Sequence, residues 1–389
     1  MDEWTVAVVG AGPAGAAAAL AVLQRQPAAR VLLIDREEHP RDKACGDGIA
    51  AHVFEVLDRF GLAHIADDYT PVTELTMASR EVSAHRALQQ QLRVVPRTVF
   101  DARLAAAAVD RGAVFLRHTV KTVEVRGSTV ILDGCIAARC VVAADGAESA
   151  VRRQLGHPLN GNGHMAVAIR GYAPTALTAA ALVARGRDWP AYAWRFPIGD
   201  GRANVGYGEV LRRGKTLSKA VLLDRLDELL PGASHDAVQW RAARLPLTTS
   251  RPRQPDGPVL LVGDAASLVN PMSGEGIYYA VLSGVLAGRA AASGAADPGR
   301  LYRSRLRAEL GRHIRHTTVM ATAGAVGSLA SVGVRMVAAD PAFFDDQVKV
   351  SIAGGLYRPA VAVRAFGRAL ATRPLSRSRR RAQKEAAAS

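Results

Sequence analysis

The chain opens on a short apolar, β-branched run, Thr5-Val6-Ala7-Val8-Val9, the pattern of a buried strand. Gly10-Ala11-Gly12-Pro13-Ala14-Gly15 breaks that run. Residues 16–24 are strong helix formers, and Val31-Leu32-Leu33-Ile34 is a second apolar stretch of strand length. Strand, turn, helix and strand in this order predict a parallel pair and a doubly wound α/β start.

After an irregular stretch from His39, residues 49–62 read as helix, Glu74-Leu75-Thr76-Met77 as a strand, and 101–111 as a helix. Residues 114–131 hold alternating strands, with Gly127-Ser128 as the hairpin turn. Cys140-Val141-Val142-Ala143-Ala144 and Val259-Leu260-Leu261-Val262 are two more buried strands. Between them, 165–171, 191–196 and 202–208 are strand-like and 217–229 helical, which marks a second or inserted unit. One long helical region is expected from Gly276 to about His316, with more helix beyond Thr322.

Composition changes this picture little. A chain of 389 residues is long enough for two packed units, and 49% hydrophobic with 22% charged residues is ordinary for a globular enzyme. An uninterrupted apolar run of eighteen residues is lacking, as is a basic-then-apolar N-terminus. Neither a membrane span nor a secretory leader is therefore expected, and the chain reads as cytoplasmic. Cys135 and Cys140 read as buried small hydrophobes in strand-like sequence. His313 and His316, one turn apart among arginines, read as a solvated helix face. No histidine pair has convincing metal-ligand spacing, and no metal is expected.

Charge matters more. The net charge of +15 favours an anionic ligand or surface. Part of it lies in residues 373–381, RPLSRSRRR. That segment reads either as a solvated tail or as a peripheral contact with an anionic membrane, at ~1 kcal/mol per basic residue. Aromatic residues do not interleave with it, so nucleic acid is not an expected partner.

Candidate chemistry starts at the glycine turn. Gly10-x-Gly12-x-x-Gly15 follows a strand, opens a helix, and precedes Asp35, which ends the next strand twenty residues after Gly15. Gly10 permits the tight turn. Gly12 lets the backbone approach a pyrophosphate on the helix N-terminus, and Gly15 lets helix and strand pack closely. Asp35 is placed to accept from ribose hydroxyls and disfavours a 2′-phosphate. Pro13, Ala14 and Arg36 complete the expected adenosine-side contacts. This motif alone does not separate FAD from NAD. Asp145-Gly146 after one buried strand, and Gly263-Asp264 after another, do so when Asn270-Pro271-Met272-Ser273-Gly274-Glu275-Gly276-Ile277 continues the second. An acid at a strand end, Asp264, suits a ribityl chain. The turn at 274–277 opens a helix whose N–H groups suit the electron-rich end of an isoalloxazine. FAD is the expected cofactor.

On these motifs the chain resembles the p-hydroxybenzoate hydroxylase-like FAD-dependent oxidoreductases, and within them the geranylgeranyl reductase family, over residues 4–320. Further matches are Lys43-Ala44-Cys45-Gly46-Asp47-Gly48, Pro96-Arg97-x-x-Phe100-Asp101-x-x-Leu104, Tyr192-x-Trp194-x-Phe196-Pro197 and Asn204-Val205-Gly206. With the patterning above, the resemblance implies an α/β fold. It has a Rossmann-like FAD-binding domain with a parallel sheet, an inserted mixed or antiparallel-sheet substrate domain, and a helical C-terminal region. The expected division is 1–70, 96–158 and 253–320 for FAD binding, and 71–95 and 159–252 for the substrate domain. Residues 321–372 form the helical region and 373–389 a basic flexible tail.

The resemblance further implies that Arg97 contacts the flavin or its ribityl chain and that Asp264 meets the ribityl and phosphate region. It puts Lys43, Cys45 and Gly46 near the flavin ring. Tyr192, Trp194 and Phe196 then line a prenyl-chain cavity, or else form a plain aromatic core strand. A thiol between Lys43 and a glycine turn is expected to be partly exposed with a lowered pKa. Delivering a proton, positioning the flavin and simple packing are all open to Cys45.

Members of that family reduce isolated double bonds in prenyl chains with FADH2. The expected activity is hydride transfer to a carbon–carbon double bond of an apolar isoprenoid or terpenoid small molecule. An unactivated alkene needs a dry cavity and a placed proton source. The alternative is a monooxygenase of the same fold, an epoxidase or hydroxylase in which reduced flavin activates O2. The FAD motifs serve both chemistries. Because no second GxGxxG is present, NAD(P)H binding transiently at the flavin, a ferredoxin or a flavin reductase is the expected electron source.

Overall fold

The computed structural model describes residues 3–185, 188–325 and 329–371. The basic tail expected at 373–389 lies outside them. Strand β1 (Glu3–Val9) pairs in parallel with β2 (Val31–Asp35), Val6 opposite Val31 through Val9 opposite Ile34. The apolar run at the N-terminus is therefore a central strand, as its lack of alternation predicts. Helix α1 (Pro13–Arg25) connects the two strands. β2 pairs in turn with β6 (Val114–Arg117), and β1 with β9 (Ile136–Ala143). The first half of β9 pairs antiparallel with β8 (Thr129–Leu132), which continues to β7 (Val123–Arg126). Its second half pairs in parallel with β15 (Val259–Leu261).

The second sheet is mixed and runs β14-β10-β13-β12-β11-β4-β5-β3. Its strands are β3 (Gly48–Ala50), β4 (Pro71–Ala78), β5 (Ser83–Val94), β10 (Met165–Pro174), β11 (Ala180–Ala184), β12 (Ala191–Pro197), β13 (Arg202–Val210) and β14 (Val238–Pro246). β3 falls inside the segment expected to serve the first sheet, yet it pairs with β5. The helix read over 49–62 is accordingly shorter, α2 (Ala51–Asp58). Helices α3 (Arg97–Asp110), α4 (Ala150–Gln154) and α5 (Lys219–Leu229) follow in order. The expected long helix is two: α6 (Ile277–Ala291) and α7 (Pro298–Gly324). Gly294 turns the chain between them at φ +73°, and Asp297 caps α7 on the Arg300 N–H.

α1 and α6 run side by side in the same direction, almost backbone to backbone. A Cβ on Gly284 would stand 2.1 Å from the Ala14 carbonyl oxygen, and one on Gly288 2.3 Å from that of Ala18. The alanines of α1 and the glycines of α6 permit this approach, which sends both helix N-termini toward the space between the sheets.

α8 (Leu329–Ala339), α9 (Pro341–Ile352) and α10 (Pro359–Ala371) close the molecule. Val337, Phe343, Phe344, Val348 and Val361 pack with Val72, Leu75, Val94 and Ile198 of the second-sheet region. Asp340 ties the three helices together. Its carboxylate accepts from the Ala342 and Phe343 N–H groups and from Arg364 and Arg368.

Two local expectations change. Cys135 is exposed, because its strand starts only at the next residue; Cys140 is buried as expected. His313 is buried, not solvated. Its Nδ1 lies 2.7 Å from the Gly355 carbonyl, which only accepts, so Nδ1 carries the proton. Nε2 is then free to accept from Tyr279 Oη at 2.6 Å. His316 packs on Tyr357.

Candidate active site

One continuous cavity of about 1420 Å3 runs from the glycine turn to the C-terminal helices. At its first end, Gly10 adopts φ +104°, and a Cβ there would sit 2.3 Å from the Ala144 carbonyl oxygen. A Cβ on Gly15 would sit 1.8 Å from the Gly10 carbonyl oxygen, so Gly15 packs behind the turn and does not line the cavity. Gly12, Pro13 and Ala14 do line it, at the N-terminus of α1. Asp35 accepts from the Ala11 N–H at 2.8 Å and stays close to the turn. Arg36 reaches only the rim, with 74% of its side chain exposed and paired to Glu37 at 3.3 Å.

Arg41, which sequence reasoning missed, stands over this turn. Its guanidinium lies 3.5 Å from Asp35 and 3.6 Å from Asp101, and a Cβ on Gly12 would stand 3.2 Å from its Nη2. The buried Arg41 Nε has no hydrogen-bond partner among the described residues. Helix N–H groups, an arginine with an unused donor and a glycine cradle together fit an anionic diphosphate.

Further in, Lys43 Nζ meets Asp264 Oδ2 at 2.9 Å, joining two expected site residues across the sequence. Asp264 lies in the short turn Gly263–Ala266, with Gly263 itself packed on Ala14 and outside the cavity lining. Arg97 is buried, its Nε and Nη2 held by Asp101 at 2.6 and 2.7 Å. Although burial disfavours its charge, the Asp101 carboxylate outweighs that and keeps it cationic. Asp145 lines the cavity but spends its carboxylate on Ser149 Oγ at 2.6 Å and the Val151 N–H, which starts α4. Gly146, at φ +83°, turns the chain there. Arg152 is buried behind both and bonds Ser267 Oγ at 2.7 Å.

The loop at 43–48 carries the deepest polar network. Asn204 donates to the Cys45 carbonyl and to Asp47 Oδ2, each at 2.8 Å, and its own Oδ1 accepts from the Trp194 indole at 2.8 Å. Tyr172 Oη donates to the same Asp47 oxygen at 2.6 Å. Burial raises Asp47 to about 6 against these hydrogen bonds. Cys45 lines the cavity, and burial raises its thiol pKa even though Arg97 pulls it down. The expected lowered pKa is thus corrected: burial beside Asp47 and Glu275 holds the proton on sulfur.

Tyr192, Trp194 and Phe196 line the cavity from β12, their rings about 6 Å apart at centroid distances of 5.9 and 6.4 Å. A Cβ on Gly206 would collide with the Trp194 ring at 2.3 Å, so that glycine is what lets the indole lie across β13. Gly46 abuts Phe196 in the same way, at 3.3 Å. The 270–277 turn closes this region. Tyr192 Oη donates to the Ser273 carbonyl, and Asn270 Nδ2 to that of Val350 at 2.9 Å. Pro271, Gly274, Gly276 and Ile277 all line the cavity, with Gly276 as the N-cap of α6.

Glu275 belongs to that turn, and its place in the sequence assigns it no role. Its Oε1 accepts from the Tyr278 N–H at 2.8 Å while the side chain lines the cavity. Burial raises its pKa to about 7, against the Tyr278 and Ile277 N–H groups and Arg97. Beyond it the walls become apolar: Met77, Leu92, Leu182, Met272, Met320, Val337, Phe343, Ile352 and Phe366. Among the described residues, no group of three or more His, Cys, Asp or Glu could hold a metal ion.

Residues 3–189 match the FAD binding domain family. Menaquinone reductase of Mycolicibacterium smegmatis is 32% identical over 315 residues, 74% of this chain and 76% of that protein. Digeranylgeranylglycerophospholipid reductase 1 of Methanopyrus kandleri is 32% identical over 314 residues, 74% and 80% of the two chains. A geranylgeranyl bacteriochlorophyll reductase-like protein of Thermoplasma acidophilum shares the fold, with a TM-score of 0.75 at 20% identity over 100% of both chains. The glycine cradle, the partly unsatisfied Arg41 and the paired helix N-termini suit the cofactor of these relatives, and the chain belongs to the geranylgeranyl reductase family of FAD-dependent oxidoreductases.

Proposed function

We propose that this enzyme reduces carbon–carbon double bonds of an isoprenoid chain. The observation that carries the reading is the continuity of the cavity. It passes from the α6 N-terminus, past Cys45 and Glu275, into walls of Met, Leu, Val, Ile and Phe side chains. The names of its relatives, a menaquinone reductase and a digeranylgeranylglycerophospholipid reductase, support the same substrate class.

Reduced FAD, when bound, supplies the hydride. Asp35 would hold the adenosine ribose, and the α1 N-terminus with Arg41 the diphosphate. Asp264, set by Lys43, would hold the ribityl chain, with Arg97 and the α6 N-terminus as the residues available to the flavin. Cys45 and Glu275 keep protons at Sγ and at the carboxyl inside the cavity, which meets the need for an acid beside the second alkene carbon. Tyr192, Trp194 and Phe196 orient the chain, and the apolar walls exclude water. Electrons arrive from NAD(P)H or from a reduced carrier such as a ferredoxin or flavin reductase. Contact with an anionic membrane brings a lipidic substrate within reach.

Anaerobic reduction of the holoenzyme, followed by a prenylated quinone or geranylgeranyl lipid with and without O2, tests the reading. Flavin reoxidation without O2, with a saturated bond in the product, is expected. Turnover that requires O2 and leaves oxygen in the product would establish the monooxygenase alternative instead.

A further inference from the structure

We propose that His313, acting through Tyr279 and Asn270, is a positioning residue for the Glu275 carboxyl. A buried histidine of α7 thereby sets the acid that faces the cavity. The catalytic consequence rests on Glu275 being the proton donor of the proposed reduction; the positioning itself does not.

All three linking side chains are buried. Asn270 closes the turn on itself. Its N–H donates to the Glu275 carbonyl at 2.8 Å, and its carbonyl accepts from the Gly274 N–H at 2.9 Å. Its Oδ1 accepts from the Met272 N–H at 2.9 Å. A backbone N–H only donates, so the amide points one way, and Nδ2 faces the Val350 carbonyl at 2.9 Å and Tyr279 Oη at 3.1 Å. Tyr279 must then offer Asn270 a lone pair and send its own proton elsewhere. His313 Nε2 takes it at 2.6 Å, because Nδ1–H is spent on the Gly355 carbonyl. The Ala353 carbonyl, the other acceptor in reach, is farther at 3.2 Å. Burial, aided by His316, lowers the His313 pKa against the Gly355 contact and keeps the ring neutral. The chain of donors and acceptors is therefore directional. It runs from the segment around Val350 and Gly355 through α7 and α6 into the turn that carries Glu275.

Two features tie this chain to the acid. None of its three side chains lines the cavity, so they reach the chemistry only through the turn. The Glu275 carboxyl itself is held by backbone N–H groups, Tyr278 at 2.8 Å, so its direction follows the backbone that Asn270 fixes. Tyr279 also lies close to it: burial and the Glu275 carboxylate hold the proton on the phenol against the Asn270 contact. The other titratable groups that bear on Glu275 are Arg97, Cys45 and Tyr192. A leucine at position 313 would fill similar space, yet would leave Tyr279 without its nearer acceptor and the Gly355 carbonyl without this donor.

Infrared titration of the oxidised holoenzyme, with Glu275→Gln subtracted, reads the protonation of Glu275 without turnover. The wild-type midpoint is expected at about 7. Tyr279→Phe and His313→Leu should each lower it by roughly one pH unit or more, because a loosened turn admits water and relieves the burial that raises it. His313→Gln keeps an acceptor for Tyr279 and should restore the midpoint. In anaerobic turnover, Tyr279→Phe and His313→Leu should lose about tenfold in kcat with little change in KM, since the cavity walls are untouched. A purely structural role predicts a lower melting temperature with the midpoint and kcat of the folded, FAD-loaded variants unchanged, and that result would overturn the inference. So would a His313→Gln midpoint as low as that of His313→Leu. If Tyr279→Phe does not fold, the two His313 variants decide the matter alone. Because the infrared midpoint requires no turnover, the two readings fail separately. Shifted midpoints in an enzyme that reduces no double bond anaerobically would sink the reductase reading and leave the positioning intact.

Discussion

Glu275 and Cys45 show how a cavity wall stores protons. Each lies in a turn with ordinary local chemistry, a carboxylate on a helix N–H and a thiol beside two glycines. Burial then raises both pKa values, and the Glu275 carboxyl reaches about 7. If Glu275 donates a proton, kcat should fall as pH rises through about 7. Glu275→Gln should slow turnover on the order of a hundredfold and flatten that limb, with FAD retained by absorbance. An unchanged pH profile would remove the role. The same shift bears on stability. The folded pKa lies above the ordinary glutamate value of 4.5, so ionisation costs folding free energy. The contribution declines as pH rises from about 4.5 to 7 and is level beyond. Of these groups, the glycines were legible from spacing because their roles are backbone roles, and Asp35 because it ends the strand that follows the glycine turn. Glu275 stood in plain view without one, since its acidity is set by elements distant in sequence. Arg41 gave no signal in an irregular segment, because only the fold puts it between Asp35 and Asp101.

At the scale of elements, Asp340 caps α9 and anchors α10, which forms part of the cavity wall. Arg364 draws its pKa down to about 2 despite burial. For a depressed acid the stabilisation is present above the ordinary value near 3.8 and is lost as pH falls toward 2. Asp340→Ala removes both a cap and a half-buried ion-pair hub. It should cost about 2–4 kcal/mol in denaturant unfolding at neutral pH. That difference should shrink as pH falls through the window. The runs 6–9 of β1 and 140–143 of β9 were readable because both faces are buried there and the apolar residues are unbroken. The break at Gly294 carried a signal, a glycine followed by the cap and first-turn pair Asp297-Pro298, whereas β3 carried none, because three residues have no period. Helicity beyond Thr322 was legible from composition, but its use as cavity wall depends on packing that no local pattern encodes.

For the molecule as a whole, the cavity separates two sheets and a helical cap, so the cofactor is part of what joins them. Removing FAD should lower the melting temperature, and restoring it at a hundred times its Kd should return about 2.7 kcal/mol. Asp35→Ala should shrink that gain by weakening binding, measured as a smaller FAD-dependent shift in melting. A shift equal to wild type would detach Asp35 from the cofactor.

The close packing of α1 and α6 has one more consequence. Ala14 is the second residue of α1, whereas Gly284, its neighbour, is the eighth of α6. The two parallel helices are therefore staggered by six residues, about 9 Å of rise, with the α6 end leading. Two positive helix ends held at a fixed offset act as a gauge. A ligand must be long enough to lay a negative group at each. A mononucleotide reaches one mark and gains only part of the attraction, so the glycines that permit the helices to touch also set the length of molecule the site will accept.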